Sequence, residues 1–385
     1  MKADFIIRNG RVIDPAAGID EVKDIAVRNM RVIDEKDAEG GQVIDAEGCL
    51  VVPGLIDFHT HLFHEGSNIC IKPDLMIAHG TTAAVDAGSA GTATYEAFYK
   101  TVVASSLMRV KGFLTLYAGG QLDPKLLEDF NPALYNIDKA ERVVDRYRDS
   151  LLGLKIRISK GVVPDDKAAE YLQAVVDIAE ELTKRTGVPL RICVHTTNSP
   201  ITAGELAGIL RKGDIFCHCF QGAGNTIVME DGTIDPGVLA ARERGVIFDA
   251  ANGKGNFGVR TAEKALAAGF LPDIISTDLT VDKFNMPPYA KNLPTLMSKY
   301  LSLGMNLTDV IRAVTEMPAR LMGLEGEIGT LRPGSAANVT ILKQKDLDIL
   351  HKDFRDDELL GHTLLVPQLT MIDGEVQYCQ TDFWY

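Results

Sequence analysis

Residues 53–64 read Pro-Gly-Leu-Ile-Asp-Phe-His-Thr-His-Leu-Phe-His. An apolar, β-like run leads into His59 and His61, and His64 follows. Three of the chain's eight histidines therefore fall within six positions. Side chains at i and i+2 of a strand share a face. His59 and His61 would then point together, while His64, of the other parity, would fall in the next loop. Histidine is the commonest metal ligand, so a strand that ends in two of them raises the question of what else its neighbours bring.

Further along, short apolar runs end near residues 58, 87, 118, 158, 195, 219, 250 and 277. Amphipathic stretches separate most of them. DKAAEYLQAVVDIAEELTKRTG (166–187) has helical periodicity and closes on a glycine; PGVLAARERG (236–245) and EKALAAGF (263–270) read alike. This alternation predicts an α/β fold, a (β/α)8 TIM barrel over residues 54–325, with further helix from about 305 to 325. The two ends of the chain differ. DFIIRNGRVID (4–14) returns as DIAVRNMRVID (24–34), which reads as two β-hairpins around an Arg-Asn turn. Residues 338–342, 363–366 and 368–372 are also β-like, with Asp373-Gly374 as a hairpin turn. The expectation is a small β-sandwich domain composed of residues 1–53 and 326–385, joined to the barrel by Pro53-Gly54.

In a barrel, functional groups gather at the C-terminal ends of strands. The fourth run ends in Gly-Leu-Lys155-Ile-Arg157, the fifth in Cys193-Val-His195, the sixth in Cys217-His218-Cys219 and the eighth in Ser-Thr-Asp278. Taken singly, His195 or His218 could be a capping or core residue, and Lys155 could pair with a carboxylate or extend its stem along apolar surface. Taken jointly, four histidines and an aspartate in an order that a barrel can converge suit a divalent metal of the zinc kind. Cys193, Cys217 and Cys219 are expected to alternate with the histidines and face away.

Composition narrows the function. The net charge is -13, with no clustered Lys and Arg, which argues against nucleic acid and polyanionic ligands. No apolar run approaches the roughly 18 residues of a membrane span, and MKADFIIRNG lacks the apolar core of a signal peptide. The six scattered cysteines read as reduced thiols. These features point to a cytoplasmic protein acting on a small molecule without a membrane, expected as a homo-oligomer.

The motifs PGLIDFHTH (53–61), GLKIR (153–157), His195, His218 and STD (276–278), with TEMPARLMGLEGEIGTLRPGSAANVTIL (315–342), resemble the amidohydrolase superfamily. HCFQG (218–222) and SKYLSLGM (298–305) are similar to its amidohydrolase/deacetylase branch, on the dihydroorotase and D-aminoacylase side. The resemblance implies two divalent ions, Zn2+ by expectation. His59, His61 and Asp278 would hold one, and His195 and His218 the other. An N6-carboxylated Lys155 would bridge them, because a carbamate replaces a repelled ammonium with anionic oxygens. It further implies hydrolysis of an amide or ester by a bridging hydroxide, with Asp278 as proton shuttle. Small acylated acids such as an N-acyl-D-amino acid or an acetylated 2-hydroxy acid are the expected substrates. Cyclic amide or imide hydrolysis and a non-catalytic assembly protein of the same fold are the alternatives. Arg157 could take a substrate carboxylate or form a salt bridge to a loop acid, and His64 and Asn252 could also meet substrate. Two departures stand out: Ala251-Asn252-Gly253 where Gly-His-Gly is expected, and Asn338 where the superfamily's exit motif carries Asp.

Overall fold

The computed structural model describes residues 2–123, 125–284 and 292–384. The chain begins with seven short strands: β1 (Phe5–Arg8), β2 (Arg11–Asp14), β3 (Ile19–Val22), β4 (Ile25–Arg28), β5 (Arg31–Ile33), β6 (Gln42–Asp45) and β7 (Leu50–Pro53). The repeat does not give two hairpins. In the second copy β4 pairs antiparallel with β5, and Asn29 and Met30 adopt the positive φ values of 49° and 67° that a tight two-residue turn needs. In the first copy only Asn9 has positive φ. There the chain crosses between layers: β1 pairs with β4 and β6, whereas β2 pairs with β3 and β7. At this crossing a Cβ on Gly10 would lie 2.4 Å from Val51, so the close approach of the two layers admits only glycine.

The middle of the chain forms a seven-stranded parallel sheet in sequential order. Its strands are β8 (Leu55–Thr60), β9 (Thr81–Asp86), β10 (Arg109–Thr115), β11 (Leu151–Arg157), β12 (Arg191–His195), β13 (Ile215–Cys217) and β14 (Ile247–Asp249). The eighth run is not a regular strand. It bridges both edges all the same, through Asp249 to Ile274 on one side and Thr60 to Leu279 on the other. The result is TIM-barrel-like. Helices 168–186 and 236–244 each end at a glycine in the left-handed conformation, Gly187 and Gly245. Burial follows from the periodicity: Leu172, Val175 and Val176 pack with Leu154, Ile156, Ile192 and Val194 outside the sheet. Ile56, Phe58, Val85, Phe113, Cys193 and Cys217 form a separate core.

The chain then returns through β15 (Val339–Lys352), β16 (Glu358–Ile372) and β17 (Glu375–Cys379). These three join β7, β2 and β3 in one six-stranded sheet, so both ends of the chain share hydrogen bonds. Asp373 and Gly374 turn between β16 and β17 with positive φ. The β15–β16 hairpin runs well beyond the short segments read from sequence. Near its tip Asp353 accepts from Val259 N at 2.9 Å, at the start of helix 259–267. Among the described residues no helix is long and apolar enough to cross a membrane.

Candidate metal centre

The ends of β8, β11, β12 and β13, together with the turn at Asp278, bring their side chains to one place. Pairing of β8 with β9 slips in register between Asp57 and Thr60. Phe58 therefore joins the core beneath the site while His59, the next residue, reaches Lys155 Nζ with its Nε2 at 3.4 Å. His61 Nε2 lies 3.3 Å from Asp278 Oδ1, and His59 Nε2 3.8 Å from the same atom. His218 sits between its neighbours, edge-on to the His195 ring at 4.3 Å between centroids and tilted against that of His59 at 5.1 Å. His218, Ala251 and Asp278 all have positive φ, at 59°, 36° and 50°. Such strain persists where surrounding structure holds it, and it concentrates at functional sites. Two glycines make room: a Cβ on Gly88 would meet Lys155 at 2.4 Å, and one on Gly253 would meet Asp278 Oδ2 at 2.3 Å.

Three of the four rings are aimed by their second nitrogen. His59 Nδ1 pairs with Asp249 Oδ2 at 3.1 Å, and Ser276 Oγ donates to Asp249 Oδ1 at 2.5 Å. His61 Nδ1 meets Ser89 Oγ at 2.9 Å. His218 Nδ1 lies 2.7 Å from the carbonyl of Ala251. A carbonyl only accepts, so Nδ1 carries the proton and Nε2 keeps its lone pair. That Nε2 is buried without a partner among the described residues, and a metal ion would satisfy it. Burial pushes His59 and His195 well below the usual imidazole range and His218 down to about 3, so these three rings are neutral and able to ligate. Burial alone would raise Asp278, but Lys283, His61 and the other histidines outweigh it and hold the carboxylate ionised. The ligand atoms of His59, His61 and Asp278 lie within 4.8 Å of one another. The donor set fits a divalent cation.

The cysteines correct the sequence reading. Cα pairing sets Lys155 beside Cys193, and His195 beside Cys217. In a parallel sheet paired residues share a face, so both thiols turn inward. Cys193 shares parity with His195 rather than alternating with it. His218 would then point outward, and its left-handed backbone swings it back in. Cys219 alone of the three packs outside. Cys193 Sγ lies 3.3 Å from Cys217 Sγ and 3.7 Å from Lys155 Nζ. With His59 the two thiols make a second group close enough to hold an ion, sharing a ligand with the first.

The centre opens into a cavity of about 250 Å3, reached by His61, His195, Asp278, Arg157, Glu128 and Lys283. Arg157 is there, and its Nη1 donates to Glu128 Oε2 at 2.8 Å. His64 is not. It lines a separate recess with Lys72 and Ser105, held by the Leu62 carbonyl at 3.2 Å and Glu65 at 3.2 Å, because its parity sends it into the turn after β8. Asn252 also lies off the cavity, fully buried, with Nδ2 donating to Tyr300 Oη at 3.1 Å. Three neighbours went unnoticed in the sequence. Asn256 Nδ2 donates to Asp278 Oδ2 at 2.7 Å, Lys283 Nζ donates to the Asp278 carbonyl at 2.9 Å, and Asp249 orients His59. Only the Asp that closes the seventh run, Asp249, sat at a strand end where it could have been sought.

Residues 50–376 match the model of the Amidohydrolase family. A deacetylase of Agrobacterium fabrum is 32% identical over 338 residues, covering 87% of this chain and 80% of that protein. The crystal structure of a dihydroorotase is 28% identical with a TM-score of 0.82, covering 97% of each chain. That of an adenine deaminase has a TM-score of 0.87 at 24% identity, covering 98% of this chain and 100% of that one, a likeness of fold. The chain belongs to the amidohydrolase family, whose members are metal-dependent hydrolases.

Proposed function

We propose that this amidohydrolase is a two-metal deacylase that removes an acyl group from a small molecule bearing a carboxylate. The observation that carries the reading is the orphaned Nε2 of His218, facing a cluster in which His59, His61, His195, Asp278 and Lys155 already converge. His59, His61 and Asp278 would hold one ion, His195 and His218 the other, and Lys155, carboxylated at Nζ, would lie between them. Zinc suits the N and O donors. When bound, the ions supply Lewis acidity and lower the pKa of water.

The chain's own residues do the rest. Asp278, held ionised, accepts the proton of the attacking water and returns it to the departing nitrogen or oxygen. Lys283 and Asn256, both hydrogen-bonded to Asp278 Oδ2, fix the carboxylate's orientation during the transfer. Arg157 on the cavity wall keeps free N–H groups for a carboxylate. The 32% identity to a deacetylase supports the deacylase reading. The likeness to a dihydroorotase favours a second reading, the opening of a cyclic amide. The pairing of β15 with β7 supports a composite β domain of residues 1–53 and 326–385 around a barrel of residues 54–325.

Zinc-loaded protein assayed against matched acyl and cyclic amides separates the two readings. Turnover of acyl amides is expected, falling to background after chelation and returning with zinc. Turnover confined to cyclic amides selects the second reading, and full activity after exhaustive chelation sinks both.

A further inference from the structure

The cavity wall presents a charged pair in which one atom is left unused. Glu128 is 4% exposed, and its Oε2 accepts from Arg157 Nη1 at 2.8 Å. Its Oε1 is buried with no partner among the described residues, and so is Oε1 of Gln121. A carboxylate oxygen buried without a donor is costly, and here two acceptors are left in that state. Both come from the segment that follows β10, and both line the cavity with Arg157. Among the described residues Arg157 spends one of its five N–H donors, on Glu128, which leaves others for a ligand. Among the described residues, the remaining charges of the cavity are engaged elsewhere or negative. Lys283 is bound to Asp278, and Asp123 adds a further carboxylate, accepting from Asn68 Nδ2 at 2.7 Å.

A guanidinium beside a carboxylate with a free oxygen is the complement of a carboxylate beside an ammonium. We propose that Arg157, Glu128 and Gln121 form a subsite for the zwitterionic head of an amino acid. Arg157 takes the carboxylate, and the two orphaned oxygens take the ammonium. This rests on the deacylase reading and specifies its substrate. If the α-amine is free, the acyl group sits on a distal nitrogen, as in an Nε-acyl-lysine or Nδ-acyl-ornithine. Ile69 and Leu126, which also line the cavity, would accompany the methylene chain. Hydrolysis then adds water across the acyl C–N bond. The acyl group leaves as a carboxylic acid, and the distal nitrogen leaves as an amine carrying one of water's protons.

The test is a deletion series on zinc-loaded protein. Calorimetry compares the products lysine, ornithine, 6-aminohexanoate, which lacks the α-amine, and pentylamine, which lacks the carboxylate as well. Turnover compares Nε-acetyl-lysine, Nδ-acetylornithine, 6-acetamidohexanoate and Nα-acetyl-lysine. Lysine or ornithine should bind about tenfold or more tightly than 6-aminohexanoate, the scale of one hydrogen bond between charged groups. Glu128→Gln, which keeps the shape and loses the charge, should erase that ratio. Acetylation at the α-amine should cost binding. Equal binding of the α-amino acids and 6-aminohexanoate by the wild type, no binding of any, or a ratio untouched by Glu128→Gln overturns the proposal. If Glu128→Gln does not fold, Gln121→Leu reports on the same ratio, and an unchanged ratio there overturns it too. Head-group selectivity without hydrolysis of any acetyl compound leaves the subsite standing and removes the deacylase reading instead.

Discussion

The inner and outer walls of the cavity are built on different physics. Inside, side chains rise from strand ends and an immediate turn, and most are held from behind by a hydrogen bond. His59 rests on Asp249, His61 on Ser89, His218 on Ala251, and Asp278 on Lys283 and Asn256. Outside, Gln121 and Glu128 hang from the segment after β10 with oxygens unpaired, and Leu126 and Leu127 beside them are 60% and 59% exposed. The first arrangement fixes geometry before substrate arrives. The second leaves hydrogen-bonding capacity for a ligand to complete. On the readings proposed above, chemistry would be set by the sheet and selectivity by a loop.

That contrast can be broken by mutation. The largest effect should come from Asp278→Asn, which can still ligate through its amide oxygen but cannot carry a proton. We expect near-normal metal content with kcat lowered about 10²–10⁴-fold. Two bound ions with ordinary turnover would mean that another group moves the proton. A comparable fall in kcat from Glu128→Gln would erase the distinction between the walls.

Asp249→Asn should come next. It is not among the proposed ligands, yet it holds His59 by Nδ1. Losing an orienting carboxylate behind a metal-bound histidine costs about 10–100-fold in metal affinity, measurable by competition with a chromophoric chelator. Unchanged affinity would show that the ring is positioned by packing alone.

The smallest effect is on stability. The folded chain holds His218 near 3, against about 6.5 for an ordinary imidazole. Below pH 6.5 the unfolded chain takes up a proton that the folded chain refuses until about pH 3. Metal-free protein should therefore lose stability as pH falls through that window, by about 2 kcal/mol from this residue at pH 5. His218→Asn should flatten part of the slope in denaturant titrations at pH 7 and pH 5. An identical slope in the variant would mean that the ring is not held neutral by its surroundings.

The sequence by itself determined what periodicity and parity can carry. A strand repeats every two residues and a helix every 3.6, so the parallel sheet, the helices at 168–186 and 236–244 and the pairing of His59 with His61 were legible, as was the placing of His64 in a turn. The candidate ligands could also be picked out in the sequence, because each stands where an apolar run stops. Parity fails where the backbone leaves the regular strand. Only the tertiary structure decided that Phe58 and His59 both turn inward across a register slip, that a left-handed His218 re-enters the site, and that Cys193 and Cys217 lie beneath Lys155. The first repeat looked like a hairpin but divides between two sheets, since its turn shares Arg-Asn with the second but neither its next residue, Gly10 for Met30, nor its backbone. Contacts across long separations were invisible as well. Glu128 meets Arg157 and Asp249 meets His59 through the closure of the sheet, and no local pattern along a chain records which distant residues that closure brings together.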